Sequence, residues 1–147
     1  MSLLLDIKAF EEKAMLAASK AVNNIAEEYM TKVVENTPTK EIGNYAKGLL
    51  VNQWYTATGG QYSSEVSTAT NVTGSGSLSR IKASIAMNNF LGKDGVITLT
   101  NNLEYAYRAE KLGWPKGEGS NGWVWSGRRG RYAMVAKSTL YIQGKYQ

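Results

Sequence analysis

Asp6-Ile7-Lys8-Ala9-Phe10-Glu11-Glu12-Lys13-Ala14-Met15-Leu16-Ala17-Ala18-Ser19-Lys20-Ala21-Val22, continuing to Asn36, decides the fold. Ile7, Phe10, Ala14, Ala17, Ala21, Ile25, Tyr29 and Val33 recur at steps of three and four, which is one stripe of an α-helix. Asp6 reads as its N-cap with Leu5 as a staple, Glu11 and Glu12 lie near the favourable end of the helix dipole, and Pro38 stops continuation. The other side carries Lys20, Asn24, Glu27, Thr31 and Glu35, and Glu28 is spaced for an i,i+4 pair with Lys32. Such a helix is expected to lie on a sheet. Ala14, Ala17, Ala18 and Ala21 would also allow close approach by a second helix, such as a neighbouring subunit's, although alanine is simply the best helix former. The adjacent carboxylates Glu11 with Glu12 and Glu27 with Glu28 point about 100° apart, so neither pair converges on a substrate atom.

Downstream, Thr37 to Gly43 reads as a turn, and Tyr45 to Tyr55 supplies aromatic and apolar bulk for a strand after an irregular start. Trp54 is expected in the core, because an indole is a dominant source of apolar burial in a small domain. Residues 56–79 are polar and glycine-rich and read as a mobile loop or extended hairpin, with a short strand possible around Tyr62 to Ala69. Gly74-Ser75-Gly76-Ser77 lacks the Gly-Lys-Ser/Thr of a phosphate loop and reads as flexible linker. Leu78 to Met87 fits a helix or a strand, Asp94-Gly95 is a hairpin signal, and Val96 to Thr100 is a half-buried strand. Tyr132 to Ile142 forms a last apolar element whose periodicity leaves helix and strand open. The expectation is one α+β domain spanning 1–147, with a long N-terminal amphipathic helix packed on an antiparallel β-sheet, a glycine-rich loop and a short C-terminal element.

The 147 residues contain no Cys and no His, which removes disulfides, thiolate or imidazole metal ligands, cysteine nucleophiles and serine–histidine triads. Neither a metal nor a cofactor is expected, and an enzyme would have to rest on Asp, Glu, Lys, Ser or Tyr with no convergent site. No apolar run approaches the roughly 20 residues of a membrane span, and Leu3-Leu4-Leu5 is too short for a signal-peptide core. A net charge of +5 suits either nearby DNA or an acidic protein neighbour.

After the strand comes Asn101-Asn102-Leu103-Glu104-Tyr105-Ala106-Tyr107-Arg108-Ala109-Glu110-Lys111-Leu112-Gly113-Trp114, which opens a glycine-rich loop holding Trp123, Trp125, Arg128, Arg129 and Arg131. The pattern Asn-Asn-x-x-Tyr-Ala-x-x-x-Glu followed by Gly-Trp resembles the signature of tailed-phage neck or tail-completion proteins, the head–tail joining class that includes the minor tail protein Z of phage lambda. Thr37-Pro38 with Gly43, and then Trp54, is similar to that family's Thr-Pro-Val-Asp-Thr-Gly-x-Leu motif and downstream Trp, although Thr39-Lys40-Glu41-Ile42 adds a residue. Gly130-Arg131-Tyr132-Ala133-Met134-Val135 is similar to a family Ala-Pro-x-Gly-Met-Val, without its Ala-Pro.

The resemblance implies a structural virion protein, made in the host cytoplasm, that forms a neck ring of six or twelve copies. Its partners would be its own copies, head-side connector or stopper proteins and the tail terminator or tail tube, with non-specific contact to DNA in the lumen and no membrane. The resemblance makes Asn101, Asn102, Tyr105 and Ala106 fix a strand end and Glu110 and Trp114 a turn, with Pro38, Gly43, Trp54 and Met134 as further structural positions. The competing reading is a small basic nucleic-acid-binding module, in which the arginines neutralise phosphates and the tryptophans stack on bases.

Overall fold

The computed structural model describes residues 3–39, 47–59, 62–87, 96–112 and 132–147. Helix α1 runs Leu3–Glu35, strand β1 Trp54–Thr58, helix α2 Ser75–Met87, strand β2 Ile97–Asn101 and helix α3 Met134–Tyr146. The class is α+β: a long N-terminal helix, a two-stranded antiparallel sheet and further helices. The glycine-rich loop lies outside the described residues.

Because the leucines at its start are good helix formers, α1 begins ahead of Asp6; this residue sits in the first turn beside the helix dipole and is not the N-cap. Glu28 and Lys32 do not pair either. Lys32 bonds Glu35, and Glu28 is drawn to α3. The helix ends before Pro38: the Thr37 hydroxyl donates back to the Val33 carbonyl at 2.7 Å and accepts the Trp54 indole N–H at 2.8 Å. Trp54 is 5% exposed, so one side chain both fills the core and ties β1 to the end of α1.

β1 and β2 pair antiparallel with Trp54 opposite Asn101 and Thr58 opposite Ile97. The chain between them passes through α2, which corrects two expectations. First, β1 reaches Thr58, into the stretch read as loop. Second, Gly74-Ser75-Gly76-Ser77 is not a linker, because α2 starts at Ser75. The small residues are required by close packing. Gly74 has φ +65°, and a Cβ there would come within 2.8 Å of Val51 and 3.0 Å of Val34. The Ser77 hydroxyl donates to the Val51 carbonyl at 2.8 Å and accepts from the Trp54 amide at 3.2 Å. Leu78 to Met87 thus resolves as helix, burying Ile81 and Ile85. The Asp94-Gly95 hairpin signal lies outside the described residues, and the strand after it pairs with β1 across the intervening helix.

No strand forms between Tyr62 and Ala69, yet that segment is clasped to the body. Gln53 accepts from the Ser67 amide at 2.9 Å and donates to the Ser67 carbonyl, while Asn52 donates to the carbonyls of Gly48 and Asn71. Gly48, at φ +78°, lets this happen: a Cβ would stand 2.2 Å from the Thr70 carbonyl oxygen. The core joins Met30, Val33 and Val34 of α1 with Leu50, Val51, Trp54, Ile81, Ile85, Tyr105, Ala106, Ala109 and Met134.

Candidate assembly surfaces

Three regions could meet a partner or hold the surfaces that do. The first is the stretch after β2. Asn101 ends the strand by turning its amide away from the ladder, donating to the Leu50 carbonyl at 3.0 Å and accepting from the Leu103 amide at 3.3 Å. Asn102 donates to the Glu65 carbonyl at 2.7 Å, so both asparagines hold loops to the sheet. Tyr105 and Ala106 are buried in the core, and a short π-type turn at Arg108–Leu112 follows.

Glu110 has a specific task there. Its two carboxylate oxygens accept the Val135 amide at 2.9 Å and the Ala136 amide at 3.1 Å, so it caps the N-terminus of α3 from another element. The cap position itself, Ala133, has left-handed backbone at φ +50° and no side chain that can accept, which is why the acceptor comes from 25 residues upstream. Met134 is the first residue of α3 and is buried. The turn predicted for Glu110 with Trp114 is therefore described only for Glu110. Gly43, Trp114, Trp123, Trp125, Arg128, Arg129 and Arg131 lie outside the described residues, and Pro38 is half-buried just past α1.

The second region is the junction of α1 with α3. Asn36 donates to Ser138 at 3.0 Å, Tyr29 bonds Thr139 at 3.2 Å, and Glu28 receives Lys145 and the hydroxyls of Tyr141 and Tyr146 at 2.6–2.9 Å. The Lys145 ammonium, then the Tyr146 and Tyr141 hydroxyls, bring the Glu28 carboxyl down to about 2 from 4.5. Separation of more than 100 residues hid this cluster from sequence reading; the knot of Asn52, Gln53 and Arg80 spans at most 28 residues and was hidden because its partners are mostly backbone carbonyls. Arg80 donates to the Trp54 and Asn52 carbonyls and lies 4.0 Å from the Tyr55 ring. The legible signal for that knot was a polar pair, Asn52-Gln53, directly ahead of a core tryptophan.

The third region is the first half of α1. From Asp6 to Val22 every residue but Ser19 is exposed, including Ile7, Met15, Leu16, Val22 and Phe10, the last at 73%. At about 100° per residue, Ile7, Phe10, Ala14, Ala17 and Ala21 occupy the side of the helix roughly opposite Met30, Val33 and Val34. The single stripe drawn through Tyr29 to Val33 is thus two faces, and only the later one belongs to the body.

At the base of α1 an apolar groove of about 280 Å³ opens between Ala26, Tyr29, Met30 and Val33 of the helix, Trp54, Ile97 and Leu99 of the sheet, and Val135 of α3. Among the described residues no cluster of acidic side chains could hold a metal, and no helix is long and apolar enough to cross a membrane.

Residues 2–72 match the family model HK97-gp10_like, described as "Bacteriophage HK97-gp10, putative tail-component". The match covers α1, the clasp at Asn52-Gln53 and β1; Thr37-Pro38, Gly43 and Trp54 fall within it, whereas Asn101 to Trp114 and Gly130 to Val135 fall outside. It does not single out the minor tail protein Z of phage lambda. No curated protein and no solved structure matches the chain. Just under half of the chain, residues 2–72, is thus similar to the HK97-gp10-like family of bacteriophage tail components.

Proposed function

We propose that this chain is a phage tail component that forms a ring at the neck of the virion, completing the tail and joining it to the head-side connector. The observation that carries the reading is the first half of α1, a helical arm roughly 25 Å long whose apolar side chains are exposed, in a segment that matches a family of phage tail components. Surface of that kind is covered by assembly. The ring holds six or twelve copies, contacts connector or stopper proteins on the head side and the tail terminator or tube on the other, and has DNA passing through its lumen. Its chemistry is association, with no catalytic group required.

The segment from Gly113 to Arg131 supplies a further contact in this reading. Its tryptophans bring buried area and its arginines pair with carboxylates or phosphates at the rim. Electron microscopy of the purified protein and of particles tests the ring: closed rings of six or twelve copies are expected, and isolated monomers in an intact particle overturn it. Changing Arg128, Arg129 and Arg131 together to Ala, or Trp123 and Trp125 to Ala, should leave a folded protein whose heads and tails fail to join. Normal joining by both variants removes the loop from the contact.

A further inference from the structure

The arm and the groove fit each other, but not within one chain. Phe10 is the most exposed of the arm's large apolar side chains, and its neighbours on the same face, Ala14, Ala17 and Ala21, are small, so it stands as a knob on a smooth surface. The groove at the base of the same helix is lined by eight residues, all apolar apart from the hydroxyl of Tyr29 and the indole N–H of Trp54, and that N–H is already taken by Thr37. Its volume of about 280 Å³ exceeds the roughly 150 Å³ in which a dry apolar cavity holds a benzene ring.

The Phe10 of a copy cannot reach that copy's own groove. Phe10 and Ala26, the nearest groove residue along α1, are separated by about 24 Å of rigid helix, and Phe10 lies on the opposite side from Met30. Charge favours a like partner. The chain carries +5, yet the arm balances Asp6, Glu11 and Glu12 against Lys8, Lys13 and Lys20, so it presents no net charge to attract nucleic acid or a strongly acidic surface.

We infer that the occupant of the groove is the arm of a second copy of this chain, with Phe10 and Ile7 seated against Met30, Leu99 and Val135. The contact is heterologous, arm of one copy on body of the next, which is the arrangement that closes into rings or runs on as a filament. The inference deepens the ring reading and rests on it.

The chain has no cysteine, so single thiols report contacts cleanly. Phe10→Cys and Leu99→Cys proteins are prepared separately, mixed at assembling concentration and treated with a short bismaleimide, while the unmodified protein is sized by light scattering and imaged. A cross-linked dimer that forms in the mixture and in neither protein alone is the expected result. Dimer from Phe10→Cys alone means that arms pair with arms, and overturns the inference. No dimer in any tube, with rings still seen for the unmodified protein, overturns this contact while leaving the ring; no dimer and no ring removes both. As a second measurement, Phe10→Asp should weaken self-association at least tenfold with unchanged helicity, and undiminished association would also overturn the inference.

Discussion

The two halves of α1 have similar sequences and opposite fates. Between Met30 and Val34 the apolar residues are 1–4% exposed and belong to the core; between Ile7 and Val22 residues of the same type face solvent. Helix propensity and periodicity are satisfied in both halves, so neither distinguishes them. What differs, among the described residues, is the cover: α2, α3 and Trp54 surround the base, whereas the arm is exposed. An apolar stripe on a helix therefore specifies that something will cover it, and the tertiary fold decides whether that something is the same chain.

The contrast is broken most forcefully at the base. Replacing Trp54 by Ala deletes a buried indole and the hydrogen bond to Thr37, and should cost about 3–5 kcal/mol in a urea or thermal melt. An unchanged melt would mean that Trp54 is not part of the core. Glu110→Ala comes next, because it leaves the Val135 and Ala136 amides without their acceptor at the start of α3, at a cost of about 1–3 kcal/mol. Helicity lost selectively from residues 134–146, followed by amide exchange, is the signature; loss spread evenly over the chain would argue against a local cap.

Several of these features were readable beforehand and others were not. The helix read over Asp6 to Asn36 and the strand over Val96 to Thr100 are present with shifted ends, as Leu3–Glu35 and Ile97–Asn101, and Trp54 is buried as expected. Gly74 to Ser77 misled because glycine and serine are read as linker residues, whereas here small size is what lets α2 begin against Val51 and Val34. The roles of Glu28 and Glu110 could not be read, since each meets partners from an element far along the chain. The arm was legible only in part: Ala14, Ala17, Ala18 and Ala21 offered close approach to a second helix, but periodicity marks an apolar face without marking its cover.

A milder perturbation acts at the boundary of the two halves. Glu28 has its carboxyl lowered to about 2 in the fold against an ordinary 4.5, so its contribution is complete above pH 4.5 and is lost as pH falls toward 2. Stability followed by urea melts should decline across that window, and Glu28→Gln should flatten the decline. An unaltered slope in the variant would detach Glu28 from the α1–α3 clamp.

The smallest effect is expected in the arm. Phe10→Ala in dilute protein should leave the melt within about 0.5 kcal/mol of the parent, since the side chain is largely exposed. A loss of several kcal/mol would place Phe10 in the monomer's core.

The claim that α1 is half core and half docking surface is tested most directly by amide hydrogen exchange along that helix, measured in dilute monomer and again in the assembled protein. Amides of residues 26–35 should be protected in both states, with those of residues 6–22 exchanging fast in the monomer and slowing at least tenfold on assembly. An arm as protected as the base in dilute monomer, or equally unprotected after assembly, would contradict the account.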